Sequence, residues 1–272
     1  MKKAVIISIA YMLLLIYLVP TLEAQNLDEI LARNFETRGG QDKLKEVKSL
    51  ICNGKMVVNK INECPLTLWR LYPDKTKMEV NMMGRRLVQA YNGRFLWWIN
   101  PYAENSKPEK QAKSDEDEFF ETARPLCMDS LIRYKEARHT LEYLGREEME
   151  GTPVFKLKLT ERKDKSTLFY LDAETGVELK TVTCIVKGKG YMEYACSLGD
   201  YQEEGGLMFP FSMDFAVTTS DENKTIHMSL IVTRIELNSE LKPKDFDMPV
   251  SKDGTGDAPG DMEEKIKKGE EK

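Results

Sequence analysis

The sequence predicts a mainly β protein: an antiparallel meander of about eleven or twelve strands, interrupted once by a helical insertion. Three observations carry that prediction. Runs rich in aliphatic and aromatic residues recur at short intervals from Ser49 to Leu237. Turn residues punctuate them, notably Gly84-Arg85, Asn92-Gly93, Lys187-Gly188-Lys189-Gly190 and Glu204-Gly205-Gly206. Consecutive strands joined by such short turns make a meander, whereas βαβ units need a helix between each pair.

The elements follow in order. Asn26 with Glu29 has the spacing of a capping box, and Leu27, Ile30, Leu31 and Phe35 form one helical stripe that Gly39-Gly40 stops. Gln41–Val47 is expected to add a short helical turn. Five strands come next, at about Ser49–Val58, Pro65–Tyr72, Lys77–Met83, Leu87–Tyr91 and Phe95–Asn100. Asn92-Gly93 suits a two-residue type I′ hairpin loop, in which both residues take positive φ. The strand after it, Phe95-Leu96-Trp97-Trp98-Ile99, has no polar interruption, so both of its faces must be covered.

Tyr102–Ser114 is polar and Lys-rich and reads as a loop. Asp115–Ala123 is acidic with a Phe119-Phe120 pair, as suits a helix start; Pro125 interrupts it, and Leu126–Tyr134 resumes. The second strand block is expected at about Thr140–Arg146, Val154–Leu159, Thr167–Asp172, Glu178–Val186, Met192–Tyr201, Met208–Val217 and Thr225–Leu237. Past Pro249 almost nothing apolar remains, so residues 251–272 are expected to form a disordered charged tail.

At the other end, Lys2-Lys3, the apolar run Ala4–Val19, Pro20 and Leu22-Glu23-Ala24 have the layout of a cleavable Sec signal peptide over residues 1–24. That leaves one domain, residues 25–250, in an exported chain. The chain carries 40 Lys and Arg against 45 Asp and Glu, a net charge of −5; without residues 1–24 the counts are 38 and 44, or −6. This mildly acidic, interspersed balance gives no electrostatic footprint for nucleic acid. Cys52, Cys64, Cys127, Cys184 and Cys196 do not have zinc-site spacing; Cys52/Cys64 and Cys184/Cys196 each flank a hairpin, so a bridge within either pair is conceivable, and small buried free thiols are the favoured reading. His139 and His227 stand apart from any ligand or triad pattern, and no nucleophile elbow is present. No metal, cofactor or catalytic residue is expected. The acidic runs Asp115–Glu118 and Glu147-Glu148-Met149-Glu150 read as solvated ends and turns.

Several of these segments resemble the LolA/LolB-like family of periplasmic lipoprotein-sorting and lipid-carrier proteins. Tyr72-Pro73-Asp74-Lys75 followed by Met78-Glu79-Val80 is similar to its Arg-Pro-Asn-Lys and Met-Glu pattern. Asn92-Gly93-Arg94 with Leu96-Trp97-Trp98-Ile99-Asn100-Pro101-Tyr102 is similar to its Asp-Gly-Lys, Leu-Trp and Asn-Pro-Phe run. Leu44-Lys45-Glu46-Val47, Tyr170-Leu171-Asp172 with Thr175-Gly176, and Gly206-Leu207-Met208-Phe209-Pro210 extend the likeness along most of the chain. The resemblance implies an open, unclosed antiparallel β-barrel with helices over its concave face, and a periplasmic, monomeric, non-enzymatic carrier of lipid or of lipoprotein acyl chains. It implies a donor complex at the inner membrane and an acceptor at the outer one. A sensor of misplaced lipid or lipoprotein, and less so an enzyme, are the alternatives on the same fold. One position departs: the family's lid-tethering arginine before the proline is Tyr72 here, with Arg70 two residues away on the same strand face.

On such a sheet alternate side chains face the concave side. Trp69, Met78, Val80, Met82, Val88, Trp97, Phe169 and Phe215 are the candidates for that lining, although alternation leaves open which parity points inward. An ordinary packed core is the competing reading. Candidates for the lid and gate are Arg70, Tyr72, Leu27, Ile30, Leu31, Phe119, Phe120 and Leu131.

Overall fold

The computed structural model describes residues 27–250, apart from 59–61, 105, 127–128 and 221–223. The predicted signal peptide, charged tail, Asn26 cap and Cys127 lie outside the described residues. Two helices come first, α1 (Leu27–Thr37) and α2 (Gln41–Glu46). Six strands follow: β1 (Ser49–Val58), β2 (Asn62–Leu71), β3 (Lys75–Met82), β4 (Arg85–Tyr91), β5 (Leu96–Ile99) and β6 (Glu109–Lys110). The insertion holds α3 (Glu116–Ala123) and α4 (Asp129–Ile132), with 3-10 turns at Lys113–Asp115 and Arg124–Leu126. Seven strands complete the sheet: β7 (Thr140–Met149), β8 (Thr152–Arg162), β9 (Lys165–Asp172), β10 (Glu178–Lys187), β11 (Gly190–Glu204), β12 (Leu207–Thr219) and β13 (Lys224–Leu237). No described helix is long and apolar enough to cross a membrane.

All thirteen strands form one antiparallel sheet in the order β6-β5-β4-β3-β2-β1-β13-β12-β11-β10-β9-β8-β7. The predicted count is short by one: Glu109 and Lys110, placed in a loop by their polarity, pair with Trp98 and Trp97. The sheet is two meanders joined where β1 pairs with β13, and its two edges, β6 and β7, do not meet. This order positions the insertion. Residues 111–139 link one edge of the sheet to the other, so they must cross its mouth.

Local chemistry explains the hairpins. Met83-Gly84 (φ 51° and 77°), Glu150-Gly151 (51° and 86°) and Gly205-Gly206 (60° and 76°) are two-residue loops with both φ values positive, as a right-twisted hairpin needs. Asn92-Gly93 is not such a loop. Only Gly93 has positive φ, and residues 92–95 together link Tyr91 to its partner Leu96. The Asn92 side chain closes this wider turn, its Oδ1 accepting the N–H groups of Arg94 and Phe95 at 3.0 and 3.1 Å. Pro65, Pro153 and Pro210 sit inside strands, each with a ladder partner on one side and none on the other. A missing N–H costs no ladder bond there.

The main core lies between the concave face and the helices. Ile30, Leu31 and Phe35 of α1, Phe119 and Ala123 of α3, and Leu126, Leu131 and Ile132 beyond it pack on residues from both meanders. A second, smaller core lies on the convex face, where Val88, Ala90 and Trp97 pack with Phe95, Ile99 and Met248. The chain after β13 covers it: the Trp97 indole N–H donates to the Phe246 carbonyl at 2.8 Å, and the Phe246 side chain is itself buried.

Candidate functional site

Register decides which side chains face inward. One cross-sheet row runs Cys52, Leu68, Met78, Gln89, Trp98, and its neighbour runs Ile51, Trp69, Lys77, Ala90, Trp97. Leu68 and Met78 belong to the main core and Ala90 and Trp97 to the convex one, so the first row is concave and the second convex. Met78, Val80, Met82, Phe169 and Phe215 accordingly face the groove. Trp69, Val88 and Trp97 do not. Trp97 and Val88 are sealed under the C-terminal segment, and the Trp69 ring carries the Lys77 ammonium at 4.9 Å from its centroid on the outer face. Alternation alone does not separate the two faces, and for Trp97 and Val88 the covered convex face supplies the shelter expected of the groove. The sequence reading missed Leu66, Leu68, Met56 and Met228, which together with Met78 and Phe215 line an apolar cleft. Thr122 of α3 also borders this cleft, whose free volume is about 10 Å³, room for no more than about one water.

The helices close it. Ile30, Leu31, Phe119 and Leu131 are buried in the main core, with Leu27 and Phe120 partly buried against it. The Phe120 ring meets Tyr91 edge-on at 5.0 Å. The two helical pieces are held in different ways. On and just after α1, Arg33 donates to the Ala173 carbonyl (2.7 Å), Asn34 to Gly176 (2.8 Å) and Thr37 to Thr175 (2.5 Å), and buried Arg38 pairs with Glu178 at 3.0 Å. Gly176 permits this approach, since a Cβ there would lie 3.0 Å from the Arg33 side chain and 3.2 Å from its backbone. α1 is therefore stitched to the β9–β10 turn largely through backbone carbonyls.

α3 is held instead by charge. Lys165, buried on the concave face of β9, sets its Nζ 2.7 Å from Glu121, 3.2 Å from Asp117 and 3.2 Å from Glu161. Arg124 makes paired contacts with Glu121 at 2.6 and 2.7 Å and reaches Glu161 at 2.8 Å. Arg162 binds Asp117 through two nitrogens. Thr183 donates to the second Glu121 oxygen at 2.8 Å and is itself 2.9 Å from Thr167. Burial alone would raise the Glu121 carboxyl, but Arg124 and Lys165 outweigh it and bring the pKa down to about 2. Asp117 is lowered against the same opposing burial, by Arg162 and Lys165. Asp117, expected within the solvated run Asp115–Glu118, is largely covered, and Glu121, one turn further along, is buried.

Arg70 and Tyr72, the other gate candidates, sit at the β2–β3 turn. The Arg70 guanidinium donates to Thr76 Oγ1 and to the Pro73 carbonyl (3.0 Å) and lies 5.1 Å from the Tyr72 ring centroid. Arg70 and Pro73 line a crevice of about 340 Å³ together with Phe120, Arg124 and Arg133. A second crevice, of about 260 Å³, opens between α1 and the segment following α4, among Leu31, Phe35, Leu131 and Tyr134. His139 lines the first crevice, and His227 is exposed on β13. Cys64, Cys184 and Cys196 are free. Cys52 lies opposite Leu68 and Cys64 opposite Met56, several residues apart along the hairpin; Cys184 and Cys196 have opposite parities on paired strands. Among the described residues no group of His, Cys, Asp or Glu is placed to hold a metal ion.

Solved structures share this architecture. A DUF1329 family protein from Desulfovibrio piger superposes with a TM-score of 0.53 at 10% identity, covering 79% of this chain and 95% of its own. A domain assigned as an outer membrane lipoprotein-sorting protein, from Vibrio parahaemolyticus, gives 0.52 at 14% identity, with 80% and 95% covered. A LolA superfamily protein from Nitrosomonas europaea gives 0.50 at 13% identity, with 82% and 98% covered. The chain has a LolA-like fold. The unclosed sheet with helices across its mouth is the LolA-like arrangement, and here it extends to thirteen strands. No family profile and no curated protein sequence matches the chain.

Proposed function

We propose that this protein is a non-enzymatic carrier that holds acyl chains, of a lipid or of a lipid-modified protein, in the concave groove. The observation that carries the reading is who fills the groove. The sheet does not close on itself; side chains from a segment strung between its edges pack on the apolar face, and the cleft that remains beside Thr122 has about 10 Å³ free. A ligand therefore enters by exchange. Phe119, Ala123, Leu126 and Leu131 leave the concave face, and methylenes take their place at about 0.8 kcal/mol each. The apolar area buried is similar before and after, so loading and release stay near balance. The crevices that border residues 130–139 support this, since they leave that part of the lid thinly packed. The lining is Met, Leu and Phe, and methionine in particular adapts to chains of differing shape. Similarity to a lipoprotein-sorting domain and to a LolA superfamily protein supports the same reading and a periplasmic setting. On the carrier reading the protein is a monomer that takes cargo from an inner-membrane donor and passes it to an outer-membrane acceptor.

The test is native mass spectrometry of protein purified from its own extract without detergent. Acyl-lipid or lipoprotein adducts are expected on the wild type and on Trp69→Gln, which changes the convex face. They are expected to be lost on Met78→Gln, which places an amide in the cleft. A wild type without adducts that also takes up no added lipid would refute the carrier.

A further inference from the structure

We propose that α3 is a built-in surrogate for the ligand, and that the ligand it stands in for is an amphiphile with an anionic headgroup. The proposal rests on the carrier reading above and specifies its substrate class. α3 presents two chemistries to the concave face at once. Phe119 and Ala123 sit in the apolar core and Thr122 borders the apolar cleft. Asp117 and Glu121, on the same helix, reach Arg162 and Lys165 at one end of the groove. An acyl chain ending in a carboxylate or phosphate has the same layout, with an apolar length and a terminal anion.

The charge arrangement makes the substitution like for like. Of the groups around Lys165, Glu161 belongs to the sheet and Asp117 and Glu121 belong to the lid. Arg162 is divided in the same way, between Asp164 of the β8–β9 turn and Asp117 of the lid. When the lid lifts, its carboxylates leave with Arg124, and the sheet keeps Lys165 and Arg162 with Glu161 and Asp164. Lys165 is 6% exposed with the lid in place. Covering it again with a neutral ligand removes the water without supplying the second anion that the lid supplied; a headgroup anion supplies it. The Thr183 hydroxyl, which donates to Glu121 with the lid closed, is a ready donor to the same anion. The groove therefore prefers an acyl anion to an acyl alcohol or ester of equal length.

The experiment is competition for a fluorescent fatty-acid probe by oleate, oleyl alcohol, phosphatidate and diacylglycerol, in wild type, Lys165→Met and Lys165→Arg. The wild type is expected to favour oleate over oleyl alcohol, and phosphatidate over diacylglycerol, by about tenfold or more, as suits a hydrogen-bonded charge pair. Lys165→Met is expected to bring both ratios to about one, and Lys165→Arg to keep them. The ratio matters because loosening the lid changes all affinities together. Preference for oleate alone would limit the headgroup to a carboxylate, and preference for phosphatidate alone to a phosphate. Equal binding of charged and neutral ligands by the wild type would overturn the headgroup assignment and leave the carrier standing, as would an unchanged ratio in Lys165→Met. Binding of none of the four would overturn the carrier itself.

Discussion

Lys165→Met is the substitution that tests how the lid is held. Methionine keeps much of the apolar stem and removes only the ammonium, which lies 2.7 Å from Glu121 in a site 6% exposed on the lysine side and 1% on the glutamate side. Taking one partner from a buried ion pair costs about 3–5 kcal/mol, chiefly because the other charge stays buried. Arg124 and Thr183 still contact Glu121, so the lower figure, ~3 kcal/mol, is the expected one. The location of that cost is the point at issue. If α3 opens on its own while the sheet stays paired, the loss appears as local opening, and ~3 kcal/mol becomes roughly 100-fold weaker protection of its amides. Hydrogen exchange read by mass spectrometry on peptides spanning Glu116–Ala123 measures this against peptides from β11 and β12. Unchanged protection of α3 would show that the ion cluster does not hold the lid. Equal loss across β11 and β12 would show that the lid is no independent unit, and the exchange mechanism would fall with it.

The remaining expectations concern pH, the convex strap and a backbone contact. Glu121 has a folded pKa of about 2 against an ordinary 4.5, so its stabilisation is fully present above pH 4.5 and is lost as pH falls toward 2. The shift corresponds to ~3 kcal/mol, and Glu121→Gln is expected to flatten the acid limb of a stability–pH curve; an unaltered limb would refute the assignment. Phe246→Ala removes a fully buried ring from the segment whose backbone carbonyl receives the Trp97 indole N–H and is expected to cost ~3 kcal/mol or more, a Tm drop of roughly 6–12 °C, with ligand binding intact. Loss of binding on that change would contradict the separation of the two faces. Gly39→Ala places a Cβ 2.2 Å from the Gly206 carbonyl oxygen at a φ of +102°; a loss above ~1 kcal/mol is expected in denaturant titration, and a neutral result would mean the α1 junction is looser than drawn.

Strands were legible because alternation is a local property. β9 shows it residue by residue, with Lys165, Thr167, Phe169 and Leu171 on one face and the positions between them half-exposed. The direction of that alternation was not legible, because a period of two is symmetric until something covers one side. What breaks the symmetry around Trp97 is Phe246, 149 residues away. The ion cluster was hidden for the same reason: Asp117 lies 45 residues from Arg162 and 48 from Lys165, and an acidic helix start looks alike whether it meets water or a buried lysine. One signal was available. A lysine in phase with Phe169 and Leu171 on a strand that otherwise alternates cleanly asks for a carboxylate partner. At Asn92 the dipeptide suggested the tightest hairpin, but a side chain able to accept two backbone N–H groups stabilises the wider turn.

The connectivity limits how such a groove can open. Residues 111–139 are tied at both ends to the sheet, to β6 at one edge and β7 at the other, so they cannot swing as a free flap on a single hinge. α1 cannot leave cheaply either, since its bonds to Ala173, Thr175 and Gly176 go to fixed backbone carbonyls. On the carrier reading this makes α1 a permanent wall and leaves the α3–α4 segment to bow outward. Bowing lifts the middle of the segment most, where Glu121, Ala123 and Leu126 are seated, and the cluster at Lys165 must break before the apolar cleft beneath Thr122 is uncovered. Charge rupture therefore precedes apolar exposure, and a ligand that supplies its own anion at Lys165 meets the lower barrier.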